Sequence, residues 1–130
     1  MIFLMNGNSM GYNTSYSLSV QADEGCLNQE DRFYGALLER TRMTNGEFDP
    51  EFVELIDSGG CYGHLYDIEE SIDQIAPNYP HLLIMLAGRG EDENDSWEKR
   101  WKGEHSEIQR SVIPPFENPN LRTKYEMSNQ

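Results

Sequence analysis

The chain has 130 residues, 37% of them hydrophobic and 25% charged, long enough for one domain with its own core without disulfides or metal. An aromatic share of 11% argues against wholesale disorder, and no run of about eighteen apolar residues is present to span a membrane. A formal net charge of −13 repels nucleic acid and anionic membrane from most of the surface.

Residues 1–11, a short apolar start followed by Asn, Gly and Ser, read as a flexible leader. Met1-Ile2-Phe3-Leu4-Met5 is too short for a signal peptide and has no basic residues before it. Residues 12–20 alternate, with Tyr12, Thr14, Tyr16, Leu18 and Val20 on one side and Asn13, Ser15, Ser17 and Ser19 on the other, which predicts a half-buried strand. Asn28 is placed to cap a helix through Thr41. Its stripe is Phe33, Tyr34, Leu37 and Leu38, Glu30 and Asp31 sit in its first turn, and Asn45-Gly46 breaks it. Asp49-Pro50 opens a second helix, with Phe48 and Val53 spaced as a hydrophobic staple, and Gly59-Gly60 closes it.

Residues 61–66 predict a short second strand. Asp67 then caps a helix that turns Ile68, Ile72, Ile75 and Tyr79 inward and Glu69, Glu70 and Asp73 to water, ended by Pro77 and Pro80. Leu82, Leu83, Ile84, Met85 and Leu86 form the most apolar stretch and predict the central strand. Gly88-Arg89-Gly90 leads to an acidic connection over residues 91–95. Residues 97–113 predict a hairpin turning near 103–105, Pro114-Pro115 ends the sheet, and 117–130 read as a frayed tail. The order predicts one α+β domain over residues 12–116, a mainly antiparallel sheet with helices packed on one face.

The charge is uneven. Residues 1–95 hold 18 Asp/Glu against 4 Lys/Arg, a balance of −14, while residues 96–130 hold 5 against 6, a balance of +1. Such a field attracts basic protein surfaces, including those that normally hold DNA or RNA; the plainer reading is solubility alone. Cys26 and Cys61 make no metal or redox motif and read as reduced thiols of a cytoplasmic protein, although they can pair.

From Tyr66 onward the chain resembles a set of small phage-encoded proteins with a ferredoxin-like sheet. The resemblance is carried by Tyr66-Asp67, Tyr79-Pro80, Leu82 to Leu86, Gly88, Gly90 and Glu91, then Asp95, Trp97, Lys99, Trp101, Gly103 and Gln109. The segment Tyr12-Asn13-Thr14-Ser15-Tyr16-Ser17-Leu18 is similar to their first strand. The likeness covers a little over half the chain, and residues 21–60 depart from it. It implies a phage or mobile-element accessory protein of the anti-defence type, anti-CRISPR proteins among them, acting in the host cytoplasm on a nucleic-acid-binding defence component. That last step is association by family.

Two surfaces are candidates. Asp67, Glu69, Glu70, Asp73, Glu91, Asp92, Glu93 and Asp95 can form one acidic face that imitates phosphates and docks on a basic partner protein. Alternatively, Trp97, Lys99, Arg100, Trp101, Lys102 and Arg110 of the hairpin interleave cations and aromatics as a nucleic-acid site does. The opposing reading of the hairpin puts both tryptophans in the core and the lysines on a protected edge strand. No cofactor or metal is called for: the 91–95 run lacks the spacing of a calcium loop, and Gly88-Arg89-Gly90 lacks the lysine-hydroxyl ending of a phosphate loop. His64, His81 and His105 show no ligand spacing, and Cys61 with His64 makes only a weak thiolate–imidazole pair. An apolar patch around residues 12–20 or Trp97 would allow a symmetric dimer.

Overall fold

In the computed structural model, which describes residues 14–26, 28–63, 65, 67–90, 96–110 and 116–128, the alternating segment becomes strand β1 (Thr14–Ala22). Helices α1 (Asn28–Arg40) and α2 (Pro50–Ser58) follow, then β2 (Gly60–Gly63) and α3 (Ile68–Ile75). The antiparallel run β3 (Leu82–Arg89), β4 (Ser96–Lys102) and β5 (His105–Arg110) comes next, and α4 (Lys124–Ser128) is the last helix. Single 3-10 turns lie at Ala76–Asn78 and Pro119–Leu121. The leader expected over residues 1–11 lies outside the described residues.

The strands form one sheet in the order β2-β1-β3-β4-β5, and every described pair is antiparallel. β2 and β3 both flank β1, so they run parallel to each other and are joined through α3. That is a split β-α-β unit, consistent with the expected ferredoxin-like α+β fold. β3 is central, as its apolar run predicts. β4 lies between β3 and β5, so it is not the edge strand suggested for its lysines; the edges are β2 and β5.

The register opposes Leu18 to Leu86 and Ile84 to Trp101. Because side chains alternate across a strand, this aligns Leu18, Leu82, Ile84, Leu86 and Trp101 on one face. They pack there with Phe33 and Leu37 of α1, Leu55 of α2, and Ile68 and Ile72 of α3. Local signals explain where these helices begin and end. The Asp49 side chain accepts the Glu51 N–H at 2.9 Å, Pro50 takes the first position, and Gly59 closes α2 in the left-handed region at φ 83°. Phe48, expected to staple α2 through Val53, is 42% exposed and carries the Arg42 guanidinium 4.2 Å from its ring centroid.

Two further expectations need correction. Asp67 stands at the start of α3 but does not cap it with its side chain: its backbone is left-handed (φ 64°, ψ 14°), whereas a capping side chain needs an extended residue to reach the first free N–H groups. The tail expected to fray is also folded from residue 116 to 128. Phe116 and Leu121 bury themselves against Leu83 and Met85 on the second face of the sheet, and α4 follows. The three longer helices therefore cover one face, and this C-terminal strap covers part of the other.

Candidate functional site

Strand β4 carries most of the aromatic and basic residues singled out in the sequence, and its alternation divides them between the two faces. Toward the helices point Trp97, Lys99 and Trp101; toward the strap point Glu98, Arg100 and Lys102. Trp101 is 1% exposed, and its Nε1–H donates to Asp73 of α3 at 2.6 Å, which satisfies the one polar atom of a buried indole. Lys99 reaches the same carboxylate at 3.1 Å and Glu69 at 3.9 Å, with its ammonium 5.1 Å from the Trp101 ring centroid. Trp97 lies over Gly88, where a Cβ would come within 2.5 Å of the indole, and meets Tyr16 edge to face at 6.4 Å. Here the glycine is required by a close approach.

On the strap side, Arg100 is 6% exposed and donates four hydrogen bonds. Its guanidinium donates to Glu98 at 2.7 Å, to both Glu126 oxygens at 2.6 and 3.0 Å, and to the Leu121 carbonyl at 3.0 Å, with Phe116 stacked 4.4 Å away. Burial alone would lower its pKa, but the hydrogen bonds to Glu126 and Glu98 outweigh burial and raise it. Glu126 is correspondingly held below the usual carboxyl range by its hydrogen bond to Arg100. Lys102 pairs with Asp23 at 2.8 Å, and this bond lowers the Asp23 pKa. The remaining cation of the hairpin, Arg110, is exposed on β5 opposite Trp97.

Parts of the two candidate surfaces thus meet: Trp97 and Lys99 of the hairpin face Asp67, Glu69, Glu70 and Asp73 of α3, whereas Arg100 and Lys102 lie on the other face of the sheet. A cleft of about 520 Å³ opens between β1, α3 and β4, with Tyr16, Trp97 and Lys99 on one side and Asp67, Glu69, Glu70 and Asp73 on the other. Asp73 and Glu69 already hold Lys99, whereas Asp67 and Glu70 are exposed and make no ion pair with another described residue. The other four acidic candidates, Glu91, Asp92, Glu93 and Asp95, lie outside the described residues. A second hollow of about 450 Å³ lies on the opposite face, floored by Ser15, Ser17 and Ala87 and bordered by Arg89, Gln109 and Phe116.

Sequence reasoning missed the zipper between α3 and β4. Its one available signal was chemical: a tryptophan destined for the core needs an acceptor, and Asp73 follows Glu69 by one helical turn. The strap residues Glu126 and Leu121 gave no such signal.

Little in the described structure assembles reactive chemistry. No group of three or more His, Cys, Asp or Glu among the described residues is arranged to hold a metal ion. Cys26 and Cys61 are free, and burial, with the charges of Glu51, Glu54 and Asp49, pushes the Cys61 pKa up to about 11, so it is held as the unreactive thiol. His64, its suggested partner, lies outside the described residues. Among the described residues no helix is long and apolar enough to cross a membrane. Comparison with family models, with curated proteins and with solved structures finds no match.

Proposed function

We propose that the protein acts by binding rather than catalysis, docking its acidic surface on a basic protein surface of the kind that holds nucleic acid. In the role implied by the resemblance to phage proteins, it is an inhibitor of a host defence component that handles nucleic acid, working in the host cytoplasm. The observation that carries this reading is the internal pairing of β4. Lys99, Arg100 and Lys102 are each bonded to a carboxylate of the same chain, while Asp67 and Glu70 stand exposed on the Lys99 side of the sheet. With the cations so occupied, the charge available to a partner is negative, in a chain of net charge −13. Exposed charges of this kind steer encounter with an opposite field and lose their effect as salt rises.

The same pairing weighs against the hairpin as a nucleic-acid site, since Trp101 is buried and its basic neighbours are neutralised. The test is capture of nucleic-acid-binding proteins from nuclease-treated host lysate, compared with a variant carrying Asp67→Lys and Glu70→Lys. Capture by the native protein that is displaced by added duplex and lost in the variant supports the proposal. Capture unaffected by charge reversal, or retention of the native protein itself on DNA or RNA at low salt, contradicts it.

A further inference from the structure

We infer that the cleft between β1, α3 and β4 receives a single arginine side chain of the basic partner; this deepens the reading above and rests on it. Three features of the cleft point to a planar organic cation. First, its walls hold four carboxylates, Asp67, Glu69, Glu70 and Asp73, against one ammonium, Lys99, so charge alone leaves room for another cation. Second, the inner end already shows what the chemistry favours: Lys99, only 16% exposed, rests against an indole ring while Asp73 holds its ammonium.

Third, the outer end has the same kind of wall without the cation. Elsewhere in the fold Phe48 and Phe116 each carry a cation over the ring, from Arg42 and Arg100. Tyr16 and Trp97 pack on each other, and no described cation lies over either of them. Gly88, having no Cβ, leaves the space that the Trp97 indole occupies beside the cleft. Among the described residues a bare metal ion has no cage of three ligands, and it gains nothing from the rings. A guanidinium stacks on an aromatic face, sheds water more easily than an ammonium, and presents a fork that two carboxylates can grip. Asp67 and Glu70, free of ion pairs to described residues, supply them.

The experiment titrates the intact protein with a capped Gly-Arg-Gly peptide and its lysine and citrulline counterparts, following the Trp97 indole N–H by NMR. The arginine peptide is expected to move this signal saturably, to bind at least about fivefold more tightly than the lysine peptide, and to lose about that factor when Arg is replaced by neutral citrulline. Tyr16→Leu and Glu70→Gln should each weaken binding about threefold or more, while Glu54→Gln on the exposed face of α2, with the same loss of charge, should leave it unchanged. Glu70 is exposed, so its substitution does not threaten folding. Equal binding of lysine and arginine peptides, or equal effects of Glu70→Gln and Glu54→Gln, overturns the inference and leaves the acidic-surface reading intact. That reading fails separately, when capture of the basic partner ignores charge reversal.

Discussion

The two faces of the sheet are held by different forces. Toward the helices, Leu18, Ile84, Leu86 and Trp101 close against three helices, and the ionic contacts of Lys99 sit at the margin of an apolar core. Toward the strap the buried apolar cluster is, among the described residues, Leu83, Phe116 and Leu121, and it is pinned by a buried arginine with two carboxylates and a carbonyl around it. Apolar burial is indifferent to pH, whereas a face fixed by carboxylates is not. The helix face should therefore set global stability and the strap face should be the separable part, the one that acid loosens first.

Truncating the helix face is the strongest way to break that contrast. Ile72→Ala or Leu86→Ala, both fully buried, should cost about 2–5 kcal/mol in denaturant unfolding, whereas a loss under about 1 kcal/mol would mean the core is not where burial places it. Arg100→Met should cost less, about 1–3 kcal/mol, because Glu126 and Glu98 are partly exposed and regain water when the guanidinium goes. Hydrogen exchange should then quicken across residues 116–128 and not in β3; uniform quickening would show that the strap is part of the core's cooperative unit.

Acid should act in the same place. Glu126 is held low by Arg100, and Glu107 by the backbone N–H groups of Glu117 and Asn118, against an ordinary value of 4.5. A carboxyl depressed in the folded state stabilises fully above its unfolded pKa, and that contribution is lost as pH falls through the folded value. The Leu121 methyl signals should therefore change on acidification below about pH 4.5, before those of Ile72. Simultaneous change would remove the distinction between the faces. The smallest effect expected is at Asp67: with φ 64° and no side-chain cap, Asp67→Gly should stabilise by up to about 1 kcal/mol, and a clear loss would restore the capping role.

What the sequence made legible was local. Asp49-Pro50 and Gly59 mark α2, the run from Leu82 to Leu86 marks the central strand, and Gly103 marks the hairpin, because each signal acts within a few residues. The rest depends on partners far along the chain. Arg100 meets Glu126, Lys102 meets Asp23 and Trp101 meets Asp73, and no periodicity encodes such pairs. An acidic helix and a basic strand therefore read as rival surfaces, until the fold lays α3 beside β4. The strap was illegible for a related reason: Phe116 and Leu121 are too sparse to form a pattern, and they are buried only because Leu83 and Met85 wait across the sheet.

The most direct test of acidic docking is the association rate with a captured partner, followed by stopped flow as salt is raised. For the native protein the rate should fall steeply with ionic strength, and Asp67→Lys with Glu70→Lys should lower it about tenfold at low salt and flatten the dependence. Native and charge-reversed proteins with the same rate and the same salt slope would contradict it.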